Sequence, residues 1–313
     1  MGRSEAGAIL PADLRARLAE CGEVVSGSAE QADILITGWG SPPLTESFLA
    51  ARAPRVRVVL HAAGSVKWLV TDAVWERGIV VSSAADANAG PVADYALAAI
   101  TFAAKKAVIA ASAYAASAAW PGFAEREGSD GRTVGVVGAS RIGRLVLKRL
   151  AMADTGCRVL LYDPYASAAE AARLGVEAVG LDELCASSSV ITLHAPEVPE
   201  TRHMLHARRL ALIPDGGTVV NTARGSLIDT EALVRECASG RLNAFLDVTE
   251  PEPLPAGHPL FSLPNVLVTP HIAGAQGSEV RRLGKWVVEE AERWARGLPL
   301  SGLVRRADLC RLA

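Results

Sequence analysis

The sequence predicts an α/β protein made of two domains, each organised on a doubly wound parallel sheet. Three observations carry that prediction. The chain has 313 residues, a length that suits roughly two domains. Short runs of Val, Ile and Leu alternate with stretches of helical spacing, as parallel strands joined by crossover helices do. Several of the apolar runs stop at Gly, Asp or Thr-Pro-His, so polar groups gather where an open parallel sheet places its ligands.

In order along the chain, residues 11–20 have helical spacing, with Leu14 and Leu18 on one face. Ahead of them only Ala8-Ile9-Leu10 is apolar, so the first strand is expected to be short or missing. Strands are predicted over 33–37, 55–60 and 78–82, with helical stretches at 45–52 and 66–77 between them. Asn88-Ala89-Gly90-Pro91 breaks this pattern, and Pro91 is expected to open a long helix. The first crossing between domains is placed here. A polar connector over 120–131 leads to a strand at 132–137, a glycine turn at 138–143 and a helix at 144–152. Further strands are expected at 159–162, 189–193, 218–221, 244–247 and 266–269, and a helix at 280–296. The expected division is 1–89 with 274–313, and 90–273.

Composition narrows the function. Hydrophobic residues make up 50% of the chain and aromatics 5%, with a net charge of −2. Basic residues are scattered, so no nucleic-acid partner is expected. The five cysteines, 21, 157, 185, 237 and 310, are far apart and in no ligand spacing. No metal site is expected, and the thiols read as reduced, in a cytoplasmic protein. Residues 1–10 hold one arginine and no apolar run, unlike a signal peptide, and Ala6 stands where a myristoylation signal needs Ser or Thr. The apolar segment 95–119 is interrupted by Lys105-Lys106. It reads as a buried or subunit-facing helix, with no membrane partner.

The glycine turn is the first chemical signal. Gly138-Ala139-Ser140-Arg141-Ile142-Gly143 follows a predicted strand and opens a helix, and Asp163 lies about 20 residues beyond Gly143. That is the context of a dinucleotide-binding Rossmann unit. Gly138 allows the tight turn, Gly143 lets the helix pack on the sheet, and the helix N-terminus offers N–H groups to a pyrophosphate. Ser140 replaces the middle glycine, which either loosens backbone approach or adds a hydroxyl donor. Asp163 would bind ribose hydroxyls and repel a 2′-phosphate. No basic residue lies between it and Arg173, so NAD is expected over NADP.

A second signal is Asn221-Thr222-Ala223-Arg224-Gly225-Ser226-Leu227-Ile228-Asp229, read as a strand end, a turn and a helix start. Arg224 is either a solvated loop charge or an anion ligand, since its planar fork matches a carboxylate. Two later strand ends favour the second reading: Asp247-Val248-Thr249-Glu250-Pro251-Glu252-Pro253 and Thr269-Pro270-His271-Ile272-Ala273-Gly274. Arginine, a carboxylate and histidine together suit hydride transfer to a 2-keto acid. The arginine holds the substrate carboxylate, the histidine exchanges the hydroxyl proton, and the carboxylate favours the imidazolium and orients it.

These stretches, with Tyr162-Asp163-Pro164 and Leu193-His194-Ala195-Pro196, resemble the D-isomer-specific 2-hydroxyacid dehydrogenase family over nearly the whole length. The resemblance implies two Rossmann-like lobes, a flavodoxin-like substrate domain and an NAD-binding domain, closing over a small 2-hydroxy or 2-keto acid. It implies that Arg224, Glu252 and His271 are catalytic, with Glu252 favoured over Glu250. Its cofactor contacts fall on Gly138, Ser140, Arg141, Ile142, Gly143, Asp163, His194, Ala195, Pro196, Thr222, Ala223, Asp247 and Gly274. Substrate contacts fall on Ala63, Gly64, Ser65 and Arg224. The family's habit is a homodimer, and the helix over 95–119 is its expected interface here.

There are departures from the family pattern. The substrate loop reads Ala62-Ala63-Gly64-Ser65-Val66-Lys67, where GAGVDN-like sequences are usual, and Lys67 and Trp68 leave the preferred acid open. The stretch 240–247 is one residue shorter than the commoner form. Serine-responsive regulation, found in some phosphoglycerate members, is not expected, because the sequence ends soon after the helix at 280–296. His61, His203, His206 and His258 read as surface or packing residues lacking a carboxylate context. Two other readings compete on the same scaffold: an NAD(H)-sensing corepressor-like protein, and formate or phosphite oxidation. The formate enzymes carry glutamine where Glu252 stands.

Overall fold

The computed structural model describes residues 7–311. The stretch through Ala6, where the sequence lacks a lipidation signal, and the side chain of Cys310 lie outside the described residues. The chain forms two compact units, one running up to Pro91 and resuming at Ala275, the other Val92–Gly274.

In the first unit, strands β1 (Ile34–Thr37), β2 (Val58–His61) and β3 (Val80–Ser83) are parallel neighbours in that order. Both faces are covered, which is why β2 reads as an unbroken apolar run. Val58 and Leu60 pack with Leu14, Leu18, Leu283 and Val287, while Val59 packs with Leu49, Leu69 and Val74. No strand precedes β1 among the described residues; Gly7 to Ile9 are helical instead. Only Asp72–Glu76 of the expected helical stretch 66–77 forms an α-helix. A two-residue strand, Leu303–Val304, pairs antiparallel with β3. Its apolar content is too small to announce it. The buried Glu290 carboxylate holds it there, accepting hydrogen bonds from Ser82 Oγ, Ser301 N and Gly302 N.

The second unit carries seven parallel strands. These are β4 (Thr133–Val137), β5 (Arg158–Tyr162), β6 (Glu177–Ala178), β7 (Val190–Leu193), β8 (Thr218–Asn221), β9 (Asn243–Leu246) and β10 (Val266–Val268). Their order is β10-β9-β8-β7-β4-β5-β6. The chain winds outward from β4 through β6, then returns to β7 on the other side of β4. The switch point of this doubly wound sheet therefore lies between β4 and β7, where Val137 pairs with Leu193. Helix Arg141–Met152 packs through Gly143, Val146, Leu147 and Leu150, the three-and-four spacing of one helical face.

Pro91 does not open a helix. It sits inside helix Ala85–Ala104, and the division between the units falls immediately after it. Proline forgoes one internal hydrogen bond but still accepts helical φ. The apolar segment is likewise two helices, Ala85–Ala104 and Ala107–Ser117, bent by 56° at the lysine pair. Lys106 takes a left-handed φ of 54° there. No single described helix is long and apolar enough to cross a membrane.

Candidate active site

Every loop singled out in the second unit leaves the carboxyl end of a strand. The glycine turn follows β4, Asp163 follows β5, His194 follows β7, Thr222 to Arg224 follow β8, Asp247 follows β9, and Thr269 to His271 follow β10. In a parallel sheet all these ends lie on one edge, so residues far apart in sequence share one rim.

The glycine turn is packed against the end of β7. A Cβ on Gly138 would lie 2.8 Å from the amide nitrogen of Ala195, and one on Gly143 would overlap the carbonyl oxygen of Gly138. Ser140 caps the helix, its hydroxyl accepting from Gly143 N at 3.4 Å. The replaced middle glycine is thus an N-cap, and the N–H groups of Arg141 and Ile142 precede any intrahelical acceptor. Asp163 also secures the turn. Its Oδ2 accepts from Ala139 N at 2.6 Å, and its Oδ1 accepts from Tyr165 N and Ala166 N.

His194 lies behind this turn, fully buried, its Nε2 3.0 Å from Thr192 Oγ1. Burial pushes its pKa down to about 3, so the ring is neutral. Its Nδ1 and the Thr222 hydroxyl are buried without a hydrogen-bond partner. Two orphaned polar atoms, close-packed glycines and a capped helix N-terminus are what a bound dinucleotide would complete. The residues present fit NAD.

On β8, Asn221 builds the arginine loop. Its Nδ2 donates to Arg224 O at 2.8 Å, and its Oδ1 accepts from Ala223 N at 3.0 Å. Arg224 is half-buried and donates to Ala223 O. Gly225 has no room for a side chain, because a Cβ would overlap the backbone of Thr249 and Glu250. The arginine loop and the loop after β9 are thereby locked face to face.

Asp247 governs the histidine loop. It is 1% exposed, and its Oδ1 accepts from Thr269 Oγ1 and Ile272 N while Oδ2 accepts from Ala273 N. Tyr95 OH donates in turn to Thr269 Oγ1 at 2.9 Å. His271 N donates to the Asp247 carbonyl at 2.9 Å, and His271 takes a left-handed φ of 53°. Backbone strain of this kind persists only where neighbours over-determine it.

The structure separates the two candidate glutamates. Glu252 Oε1 lies 2.7 Å from His271 Nδ1. Glu250 instead accepts from Arg202 Nη1 at 2.7 Å and meets His203 Nε2 at 3.1 Å. His203 therefore does have a carboxylate partner, contrary to the reading of it as a plain surface residue. His271 and Glu252 are 52% and 41% exposed, so their contact adds little to stability. Thr192 and Tyr95 carry no site signal in the sequence, since polar residues in or beside apolar runs have no distinctive spacing.

In the first unit, Ala63, Gly64 and Ser65 lie on one loop at the carboxyl end of β2, with Ala63 buried and Gly64 and Ser65 half-buried. His61 lies beneath it, 1% exposed, with Nδ1 2.9 Å from Thr37 Oγ1 and its ring edge-on to Trp68. Burial pushes its pKa down to about 4. Nε2 has no partner at full hydrogen-bond geometry, although the Ser65 backbone lies near enough to oppose that shift. Among the described residues no group of His, Cys, Asp or Glu could hold a metal ion.

The chain is similar to known proteins in family and fold. The family model described as "D-isomer specific 2-hydroxyacid dehydrogenase, NAD binding domain" matches residues 98–273. The chain is 37% identical over 262 residues to D-3-phosphoglycerate dehydrogenase of Mycobacterium bovis, covering 83% of this chain and 48% of that protein. It thus spans about half the length of the curated phosphoglycerate dehydrogenases it matches. It is 32% identical over 281 residues to glyoxylate reductase of Korarchaeum cryptofilum, covering 88% of this chain and 83% of that protein. Among solved structures, the TT0316 protein of Thermus thermophilus superposes with a TM-score of 0.78 at 34% identity, covering 95% of this chain and 97% of that one.

Proposed function

The chain belongs to the D-isomer-specific 2-hydroxyacid dehydrogenase family, and from that premise we propose that it interconverts a small 2-keto acid and its D-2-hydroxy acid with NAD(H). The observation that carries the proposal is the 2.7 Å contact between His271 Nδ1 and Glu252 Oε1. With Nδ1 engaged, Nε2 is the ring nitrogen left to exchange a proton with substrate. Glu252 holds the ring's orientation. Arg224, whose planar fork matches a carboxylate, binds the substrate carboxylate and polarises the carbonyl to be reduced. In the direction of reduction, the dihydronicotinamide when bound supplies the hydride to the keto carbon. The proton from His271 goes to the carbonyl oxygen, completing the hydroxy acid.

The helix N-terminus at Arg141 and Ile142 would take the pyrophosphate, with Asp163 near the adenosine ribose. Asp163 is engaged by three backbone N–H groups, yet its carboxylate keeps acceptor capacity for a ribose hydroxyl. Its charge disfavours a 2′-phosphate.

We further propose a cytoplasmic homodimer. Cys21, Cys157, Cys185 and Cys237 are free thiols, which suits a reducing compartment. Helix Ala107–Ser117 buries none of its residues and exposes Ile109 and Tyr114, an apolar surface that a second copy would cover. Light scattering at micromolar concentration tests this, and a monomer contradicts it.

The test of activity is a keto-acid panel with NADH, scored by kcat/KM. Turnover of glyoxylate, hydroxypyruvate or a related acid supports the proposal. NADH binding without turnover on any of them defeats it and favours a sensing role.

A further inference from the structure

We infer that His203, acting through Glu250, is a positioning residue for the catalytic loop, tying the segment that carries Arg224 to the segment that carries Glu252. This rests on the dehydrogenase reading above. Three contacts converge on these residues. The His203 N–H donates to the Ser226 carbonyl at 2.7 Å, two residues from Arg224. The His203 ring meets Glu250 Oε2 at 3.1 Å, two residues before Glu252. Thr230 Oγ1 donates to the Glu250 carbonyl at 2.8 Å, fastening the same backbone from the helix that follows the arginine loop.

The arrangement is costly in a way that stability does not explain. His203 takes a left-handed φ of 48°, a conformation that glycine accepts freely and that burdens any residue with a Cβ. Its ring is 39% exposed and its partner Glu250 35%, so the contact lies where ion pairs contribute little. A residue kept at a strained position for a weak surface contact is explained if the contact sets geometry instead. The geometry at stake is that of the loop behind Gly225, where Thr249 and Glu250 already touch the arginine loop. Arg202 completes the clamp by occupying the other Glu250 oxygen at 2.7 Å. Glu250 is therefore held away from His271, and its neighbour Glu252 is left to face the histidine.

His203→Gly separates positioning from stability, because it removes the ring and relieves the backbone together. The expected result is a thermal midpoint equal to or above wild type and an unchanged Kd for NADH. kcat for the keto acid should fall about tenfold or more, the scale of loss for a misplaced reacting group, while KM changes little. Glu250→Ala should show the same loss, and the double variant no further loss. Amide hydrogen exchange at position 203, whose N–H donates to the Ser226 carbonyl, and at Leu227 and Ile228 in the arginine loop should be faster in each variant. Unchanged exchange, or unchanged kcat in an active enzyme, overturns the inference. A wild-type protein that turns over no keto acid defeats the dehydrogenase reading instead, and exchange at these amides still decides whether the clamp exists.

Discussion

The buried carboxylate of Asp247 accepts a 2.6 Å hydrogen bond from the hydroxyl of Thr269, across two neighbouring strand ends. Two further bonds from Ile272 N and Ala273 N reach the same side chain, so one carboxylate shapes the turn that presents His271.

Asp247→Asn is therefore expected to damage structure and chemistry together. An amide cannot accept on both sides, and one backbone N–H of the turn is left facing a donor. The loss should be about 1–3 kcal/mol, the cost of a buried unsatisfied group. Urea unfolding checks this, and kcat should fall as His271 loses its seat. A variant as stable and active as wild type refutes the role.

The His271–Glu252 pair makes a kinetic prediction. His271→Ala should lower kcat by about 10² or more, the usual scale for a lost general acid. Glu252→Gln keeps the shape but replaces the carboxylate oxygen that meets His271 Nδ1 at 2.7 Å, so the ring loses its fixed orientation and kcat should fall about tenfold or more in both directions. Steady-state kinetics in both directions test it. If Glu250→Gln lowers kcat and Glu252→Gln does not, the carboxylate is misassigned.

Arg224→Lys should raise KM for the keto acid and lower kcat as well. A point charge cannot reproduce a two-pronged contact with a carboxylate. A variant with both constants unchanged would remove Arg224 from the site.

Acid stability follows from His61 and His194. Burial lowers their pKa values to about 4 and about 3, below that of an unfolded histidine, about 6.5. Between those limits the unfolded chain binds more protons than the folded one, so stability rises with pH there. Their contribution is complete above about pH 6.5 and is lost as pH falls toward 4 and then 3. Thermal midpoints measured from pH 7 to pH 4 should fall, and less steeply in His61→Gln. An equal slope in that variant removes His61 from the effect.

Cofactor choice is testable at Asp163. Its replacement by Ala should relax the preference for NADH over NADPH by about 1–3 kcal/mol, the range of a charge-assisted hydrogen bond. Equal kcat/KM with both cofactors in the wild type defeats the assignment.

The sequence by itself determined the α/β class and the places of the main strands along the second unit. Strands buried on both faces must be continuously apolar, and runs such as Val134-Gly135-Val136-Val137 and Val190-Ile191-Thr192-Leu193 have little other use. The glycine turn and Asp163 were legible for a similar reason, since a tight turn beside a helix start restricts which residues can stand there. Local patterns failed where tertiary contacts override propensity. Pro91 lies within a helix that the proline was expected to begin, and Leu303-Val304 becomes a strand only because Glu290 gathers its neighbouring N–H groups. The choice between Glu250 and Glu252 also belongs to tertiary structure. The two carboxylates stand two residues apart in one loop, alike in chemistry and spacing. One meets Arg202 and His203 and the other meets His271, and those partners come from loops after different strands, brought to one rim by the folding of the sheet.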